Sequence, residues 1–279
     1  MNKKPSLAFK NKLVVIVGGS KGIGKETAKR ITRSGGSLCL ISRDQATLSQ
    51  TAEEVKALTV LPGQFVEVIA ADATDQQGLQ PKLESLIEER GVPDVLINAV
   101  GYAFPNYWEN LELKDFKANM ETNYYGQLVP TLILLPWFRQ RGSGHISFVS
   151  SMLGFMGLIG YGTYTPTKYA LVGLAETLRH ELKPEGIQVS VLFPPDTATP
   201  GFDQENKTKP PETAMLSETA KLYQPEDVAE KFVDGILKNK FYIIFGSVKW
   251  IWLLNRLFPR LVHAIMDSDL RNARKKLRA

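Results

Sequence analysis

The chain has 279 residues, 43% hydrophobic and 23% charged, which is globular composition with length for one large core or two modest ones. Its single cysteine, Cys39, excludes an internal disulfide and a thiolate metal cluster, and His145, His180 and His263 have no metal-ligand spacing, so no metal is expected. The net charge of +5 reflects a C-terminal "RNARKKLRA" with five Lys or Arg in nine residues; no aromatic-interleaved basic surface accompanies it, so lipid and not nucleic acid is the polyanion it suits.

The start, "MNKKPSLAFKNK", is basic but has no apolar run of signal-peptide length, which predicts a cytoplasmic chain. From Leu13 onward, strand-length apolar runs alternate with amphipathic helical stretches: "LVVIVG", Ile23 to Ser34, "SLCLIS", Ala46 to Leu58, "FVEVIA", Gln76 to Arg90 and "DVLINA". That order predicts a doubly wound α/β fold, with parallel strands and helices on both faces. A helix from Leu113 to Trp137, interrupted by Pro130 and Pro136, comes next, then "HISFVS", a helix from Tyr164 to Lys183, "IQVSVLF" and "FYIIF". No linker divides this run, so residues 1–247 are read as one domain. Between its last two strands stands "FPPDTATPGFDQENKTKPPET", which cannot be a long regular helix or an inner strand; residues 194–224 are read as an extended insertion of the kind that forms a lid or binding loop. Residues 248–279 form a separate C-terminal segment. There Trp250, Trp252, Leu253, Leu254, Leu257 and Phe258 crowd together with Lys249, Arg256 and Arg260, too many cations for a spanning helix. Two readings stay open: a helix lying in the membrane interface, or a last helix packed on the core or a partner.

Three stretches carry chemistry. The first βα junction reads "VGGSKGIG", with Gly18, Gly22 and Gly24 spaced to let backbone approach a pyrophosphate at a helix N-terminus. At the end of the second strand, where a carboxylate would hold a ribose 2′-OH, the chain offers Ser42 and Arg43, and a guanidinium suits a 2′-phosphate. With Lys21 as a second cation, the reading is NADPH/NADP over NAD; the alternative is that Arg43 is solvated and Asp44 merely caps a helix. Asp72, after the third strand, suits either an adenine amino group or a helix cap. Finally, Tyr164 and Lys168 share a helix face at i, i+4, and Ser151 follows the fifth strand. A neighbouring ammonium is expected to lower the phenol pKa and make Tyr164 an acid-base group, with Ser151 polarising a carbonyl.

The ordered segments "GGSKGIG", "INAVG", "ETNYYG", "VSSMLG", "YTPTK" and "FPPDTAT" resemble the short-chain dehydrogenase/reductase family over nearly the whole chain. The resemblance implies a single Rossmann-type domain with Asn123, Ser151, Tyr164 and Lys168 as a catalytic tetrad, Asn123 supporting a water relay to Lys168. It also implies cofactor contacts from Ser20 and Ile23 in the glycine loop, Asn98 after the fourth strand, and Pro194, Thr197 and Thr199 beyond the sixth. Three departures are Val17 for a usual threonine, Pro195 for a usual glycine, and Pro166 inside "YTPTK", tolerable only in a first helical turn.

Within that family the insertion is most similar to that of 3-ketodihydrosphingosine reductases, through "PPDT", "TPGF", "EN", "TKP" and "ET". This implies NADPH-dependent reduction of a hydrophobic ketone, a sphingoid base, in sphingolipid synthesis, with peripheral membrane contact through the C-terminal segment. Asp196 is the carboxylate nearest in sequence for the substrate ammonium, or else stabilises a turn. The family also allows a homo-oligomer. Other hydrophobic carbonyls (3-oxoacyl thioesters, long-chain aldehydes, steroids) and a non-catalytic NADP(H)-binding scaffold are the competing readings.

Overall fold

Seven runs rich in Val, Ile and Leu pair as one parallel sheet in this computed structural model, which describes residues 7–218 and 220–278. They are β1 (Leu13–Val17), β2 (Ser37–Ser42), β3 (Val66–Ala70), β4 (Val95–Asn98), β5 (Gly144–Val149), β6 (Ile187–Leu192) and β7 (Tyr242–Ile243), in the spatial order β3-β2-β1-β4-β5-β6-β7. The helices are α1 (Gly22–Arg33), α2 (Gln45–Lys56), α3 (Gln76–Arg90), α4 (Leu113–Met120), α5 (Gly126–Arg141), α6 (Thr165–Leu182), α7 (Pro200–Asn206), α8 (Pro211–Glu218), α9 (Pro225–Leu237), α10 (Gly246–Leu257) and α11 (Pro259–Arg278). The expected doubly wound fold is the one observed. Residues 1–6, which carry part of the N-terminal reading, lie outside the described residues.

Strand alternation sorts the core into two layers. Val15, Val17, Cys39 and Ile41 pack against α3, α5 and α6, while Val14, Ile16, Leu38 and Leu40 pack against α1, α2 and α9. Because both faces are covered, every residue of β1 and β4 is buried and neither strand shows polar alternation. Each fully buried aliphatic side chain contributes about 1.5–3 kcal/mol relative to exposure.

Two local expectations are corrected. The helix expected from Leu113 to Trp137 does not break at its prolines: Pro130 and Pro136 both lie inside α5, and the interruption is a π-helical turn over Glu121–Tyr125. That turn centres on Asn123, which is fully buried and hydrogen-bonded to Tyr102 and Thr167, so long-range bonds and not local proline chemistry set the break. The insertion is not an extended loop either. It folds as α7 and α8, each opening on a proline, where the missing N–H is not needed, and Thr199 caps α7 by accepting from Phe202 N at 3.2 Å.

One face of the C-terminal segment packs on the rest of the protein. Val248, Val262 and Ala273 turn inward, Asn255 Nδ2 donates to the Phe155 carbonyl at 2.7 Å, and Arg274 Nε lies 3.2 Å from Glu212 on α8. Its outer face leaves Trp250 64%, Leu257 59% and Phe258 56% exposed. No helix among the described residues is long and apolar enough to cross a membrane.

Candidate active site

The sheet order reverses between β1 and β4, and strand ends there lie level: Val17 is in register with Ile41 on one side and Asn98 on the other. The loops leaving these ends must part to opposite faces, which opens a crevice at the carboxyl edge. A cavity of about 1310 Å³ occupies it, bounded by the glycine loop, the ends of β4 and β5, and the insertion.

At its first end the backbone is bare by necessity. Gly18 has φ +81°, and a Cβ there would stand 2.8 Å from the Ala99 backbone; a Cβ on Gly24 would stand 2.2 Å from the Gly18 carbonyl oxygen. Lys21 precedes α1 without a side-chain capping bond, so first-turn N–H groups face the cavity uncapped. A cradle that a side chain would fill, at the positive end of a twelve-residue helix, fits a dinucleotide pyrophosphate.

Ser20 Oγ donates to Ser42 Oγ at 2.9 Å, and Ile23 lines the cavity beside them. Arg43 is 69% exposed, its guanidinium 3.9 Å from Asp72. Asp72 is not a helix cap: it accepts from Thr74 N and Oγ1, both at 2.9 Å, while Asp75 caps α3. Asp44 does cap α2, accepting from Thr47 N at 2.7 Å. Asn98 stands behind the cavity wall, fully buried, with Nδ2 donating to Thr131 Oγ1 at 3.1 Å; Ala99, Val100 and Gly101 form the wall itself. Pro194, Thr197 and Thr199 border the opposite side, and Thr199 reaches the glycine loop, 3.0 Å from where a Gly22 Cβ would stand. Pro195 lies beside them, its carbonyl accepting from Thr197 Oγ1 at 2.7 Å.

The second end brings the four tetrad positions together. Tyr164 precedes α6 and Lys168 sits in its first turn, with Pro166 at the second helical position, where it removes no helical bond. Lys168 Nζ donates to the Val149 carbonyl at 3.0 Å and lies 5.3 Å from the centre of the Tyr164 ring. Asn123 donates to the Tyr102 carbonyl at 2.9 Å and accepts from Tyr102 N at 2.8 Å. Asn123 Oδ1 and Lys168 Nζ converge on Gly101, each 3.1 Å from where a Cβ would stand. Ser151 Oγ accepts from Leu153 N at 3.1 Å, which aims it across the end of β5.

The electrostatics correct one expectation. Burial pulls the Lys168 ammonium down to about 7. Burial pushes the Tyr164 phenol up, with the Glu205 and Asp196 carboxylates adding to the rise and the Ser151 hydroxyl opposing it. In the protein alone the phenol is therefore a weaker acid than usual, opposite to the direction expected from an adjacent cation. The sequence reading also missed Glu205, Tyr161, Lys209 and Gln127. Gln127 Nε2 ties the wall together, donating to the carbonyls of Val100 at 2.9 Å and Val149 at 3.1 Å. Only the i, i+4 pair Glu205–Lys209 had a spacing that could have flagged it.

The family model for short chain dehydrogenase matches residues 12–210. The chain belongs to the short-chain dehydrogenase family. It is an oxidoreductase of that family, and similar curated members are ketoreductases by name. The 3-dehydrosphinganine reductase of Danio rerio is 42% identical over 234 residues, spanning 84% of this chain and 70% of that one. The 3-ketodihydrosphingosine reductase of Bos taurus is 37% identical over 248 residues, spanning 88% and 74%. A solved 3-oxoacyl-[acyl-carrier protein] reductase from Brucella melitensis with bound NAD superposes with a TM-score of 0.72 at 22% identity, covering 84% of this chain and 87% of that one, a likeness of fold.

Proposed function

We propose that this short-chain dehydrogenase uses NADPH to reduce the C3 ketone of 3-ketodihydrosphingosine to dihydrosphingosine, a step of sphingolipid synthesis. The observation that carries the substrate is the identity of 42% and 37% to two reductases of that name over most of the chain. When bound, NADPH supplies the hydride that the carbonyl carbon receives.

The protein's own groups do the rest. Ser151 Oγ holds the carbonyl oxygen as the C=O π pair moves onto it. Tyr164 Oη gives its proton to that oxygen, completing the alcohol. Lys168, anchored on the Val149 carbonyl, holds a proton at Nζ for return to the phenolate, and Asn123 keeps its loop and the Tyr102 backbone in register. NADPH over NADH is supported by Arg43 and Lys21 at the adenosine end, where Ser42 ends β2 without a carboxylate. Asp72 stands beside Arg43 at that end, and Thr197 and Thr199 border the opposite side of the cavity.

We assign this chemistry to residues 1–247, with the substrate passage over 194–224, and membrane approach to residues 248–279. The exposed apolar face of α10 and α11, flanked by Lys249, Arg256 and Arg260, matches the polarity of an anionic interface. In flotation assays the protein is expected to rise with phosphatidylserine vesicles and not with neutral ones. Serine at Trp250, Leu257 and Phe258 together is expected to abolish the rise; unaltered flotation would remove the segment from this role.

The substrate reading is tested by NADPH oxidation with 3-ketodihydrosphingosine beside a 3-oxoacyl thioester, a long-chain aldehyde and a steroid ketone. The sphingoid ketone is expected to be turned over best. Equal or better turnover of another carbonyl would replace the substrate and leave the reductase.

A further inference from the structure

The insertion carries three charged side chains that no step above uses. Glu205 accepts a hydrogen bond from Tyr161 Oη at 2.5 Å and lies 3.1 Å from Lys209 Nζ. Asp196 borders the same cavity, and burial pushes its carboxyl above the usual range, Lys209 opposing and Glu205 adding to the shift. The Tyr161 ring packs 6.0 Å from that of Tyr164, which puts the carboxylates one side chain away from the reacting phenol.

Lys209 shows which charge these carboxylates take up. Its side chain is 2% exposed, its ammonium sits 4.2 Å from the centre of the Phe202 ring, and it makes no aligned hydrogen bond among the described residues. Here it lies beside an aromatic face and a carboxylate, surroundings that suit a cation. Two carboxylates stand with that one ammonium at the cavity wall, so a second cation entering the cavity meets acceptors there.

We propose that Glu205, held by Tyr161 and flanked by Asp196, is the receptor for a primary ammonium next to the reacting carbonyl, so that the enzyme selects α-amino ketones over plain ketones. Lys209 steadies the receptor between turnovers. The proposal rests on the ketoreductase reading and names its specificity-determining residue; it also moves the ammonium contact from Asp196, the nearest carboxylate in sequence, to Glu205, which lines the same cavity and is held by Tyr161. Recognition and chemistry are then coupled. Glu205 and Asp196 both disfavour the Tyr164 phenolate, and a substrate ammonium placed between them offsets that field and makes the phenol a better proton donor. The amine therefore acts on kcat as well as on KM.

The test compares kcat/KM for 3-ketodihydrosphingosine with that for the same molecule lacking the 2-amino group, in mixed micelles at saturating NADPH. Wild type is expected to favour the amino ketone by at least about 30-fold, the scale of a buried charge pair losing one partner. Glu205→Gln is expected to bring that ratio close to one, and Lys209→Met to keep or raise it. An unchanged ratio in Glu205→Gln, or equal turnover of both ketones by wild type, overturns the receptor and leaves the reductase standing. Wild type that reduces neither ketone overturns the proposed function itself. Should Glu205→Gln fail to bind NADPH, wild type decides: a long-chain primary amine is expected to inhibit reduction of the des-amino ketone at least about tenfold more strongly than the chain-matched alcohol, and equal inhibition overturns the receptor.

Discussion

Replacing Tyr164 by Phe is expected to lower kcat for ketone reduction by about 10²- to 10⁴-fold, the usual contribution of a positioned proton donor. Only one oxygen is lost. The ring keeps its place before α6, its packing on Tyr161 at 6.0 Å and its position beside Lys168 at 5.3 Å, so the fold and the cofactor end should be undisturbed. The measurement pairs steady-state turnover with an NADPH fluorescence titration and thermal melting. A variant with wild-type cofactor affinity and melting but little turnover assigns the proton to Tyr164. One that binds NADPH and retains more than about a tenth of the rate takes the phenol out of the chemistry, since so small a loss is below the range for general acid catalysis.

Arg43→Ala is expected to weaken NADPH binding by about 10- to 100-fold, the scale of lost hydrogen bonds to a charged phosphate, and to leave NADH binding nearly unchanged. The side chain is free to serve because its structural ties are weak: it is 69% exposed and its contact with Asp72, at 3.9 Å, is a surface pair of little stabilising value. Melting temperature should therefore hold. Titration with both cofactors reads the result directly. Equal loss for the two would mean that Arg43 shapes the loop, and no loss would assign the 2′-phosphate to Lys21 alone or return the enzyme to NADH.

Much of the site could be read from sequence because it depends on local spacing. Gly18, Gly22 and Gly24 announce a bare backbone within seven residues, and Tyr164 with Lys168 falls on one helical turn. Pro166 could be placed in a first turn because any other position would break α6. Asn123 was reachable only through resemblance: nothing within "ETNYY" signals a π-helical turn, which is held by Tyr102 and Thr167 from elsewhere in the chain. The insertion misled for a different reason. Its composition excludes a long helix but not short ones, and Pro200 and Pro211 begin two of them.

The doubly wound sheet, the glycine cradle and the Tyr164–Lys168 pair follow from local sequence, because strand alternation, helical periodicity and glycine spacing act over a few residues and need no knowledge of distant neighbours. The surroundings in which the reacting end titrates were legible only in three dimensions. Burial of Lys168 and the approach of Asp196 and Glu205 from the insertion to Tyr164 reverse the pKa direction that the local pair suggests. Desolvation and Coulomb interactions sum over everything nearby in space, and the chain brings those groups together from the start of α6 and from the insertion.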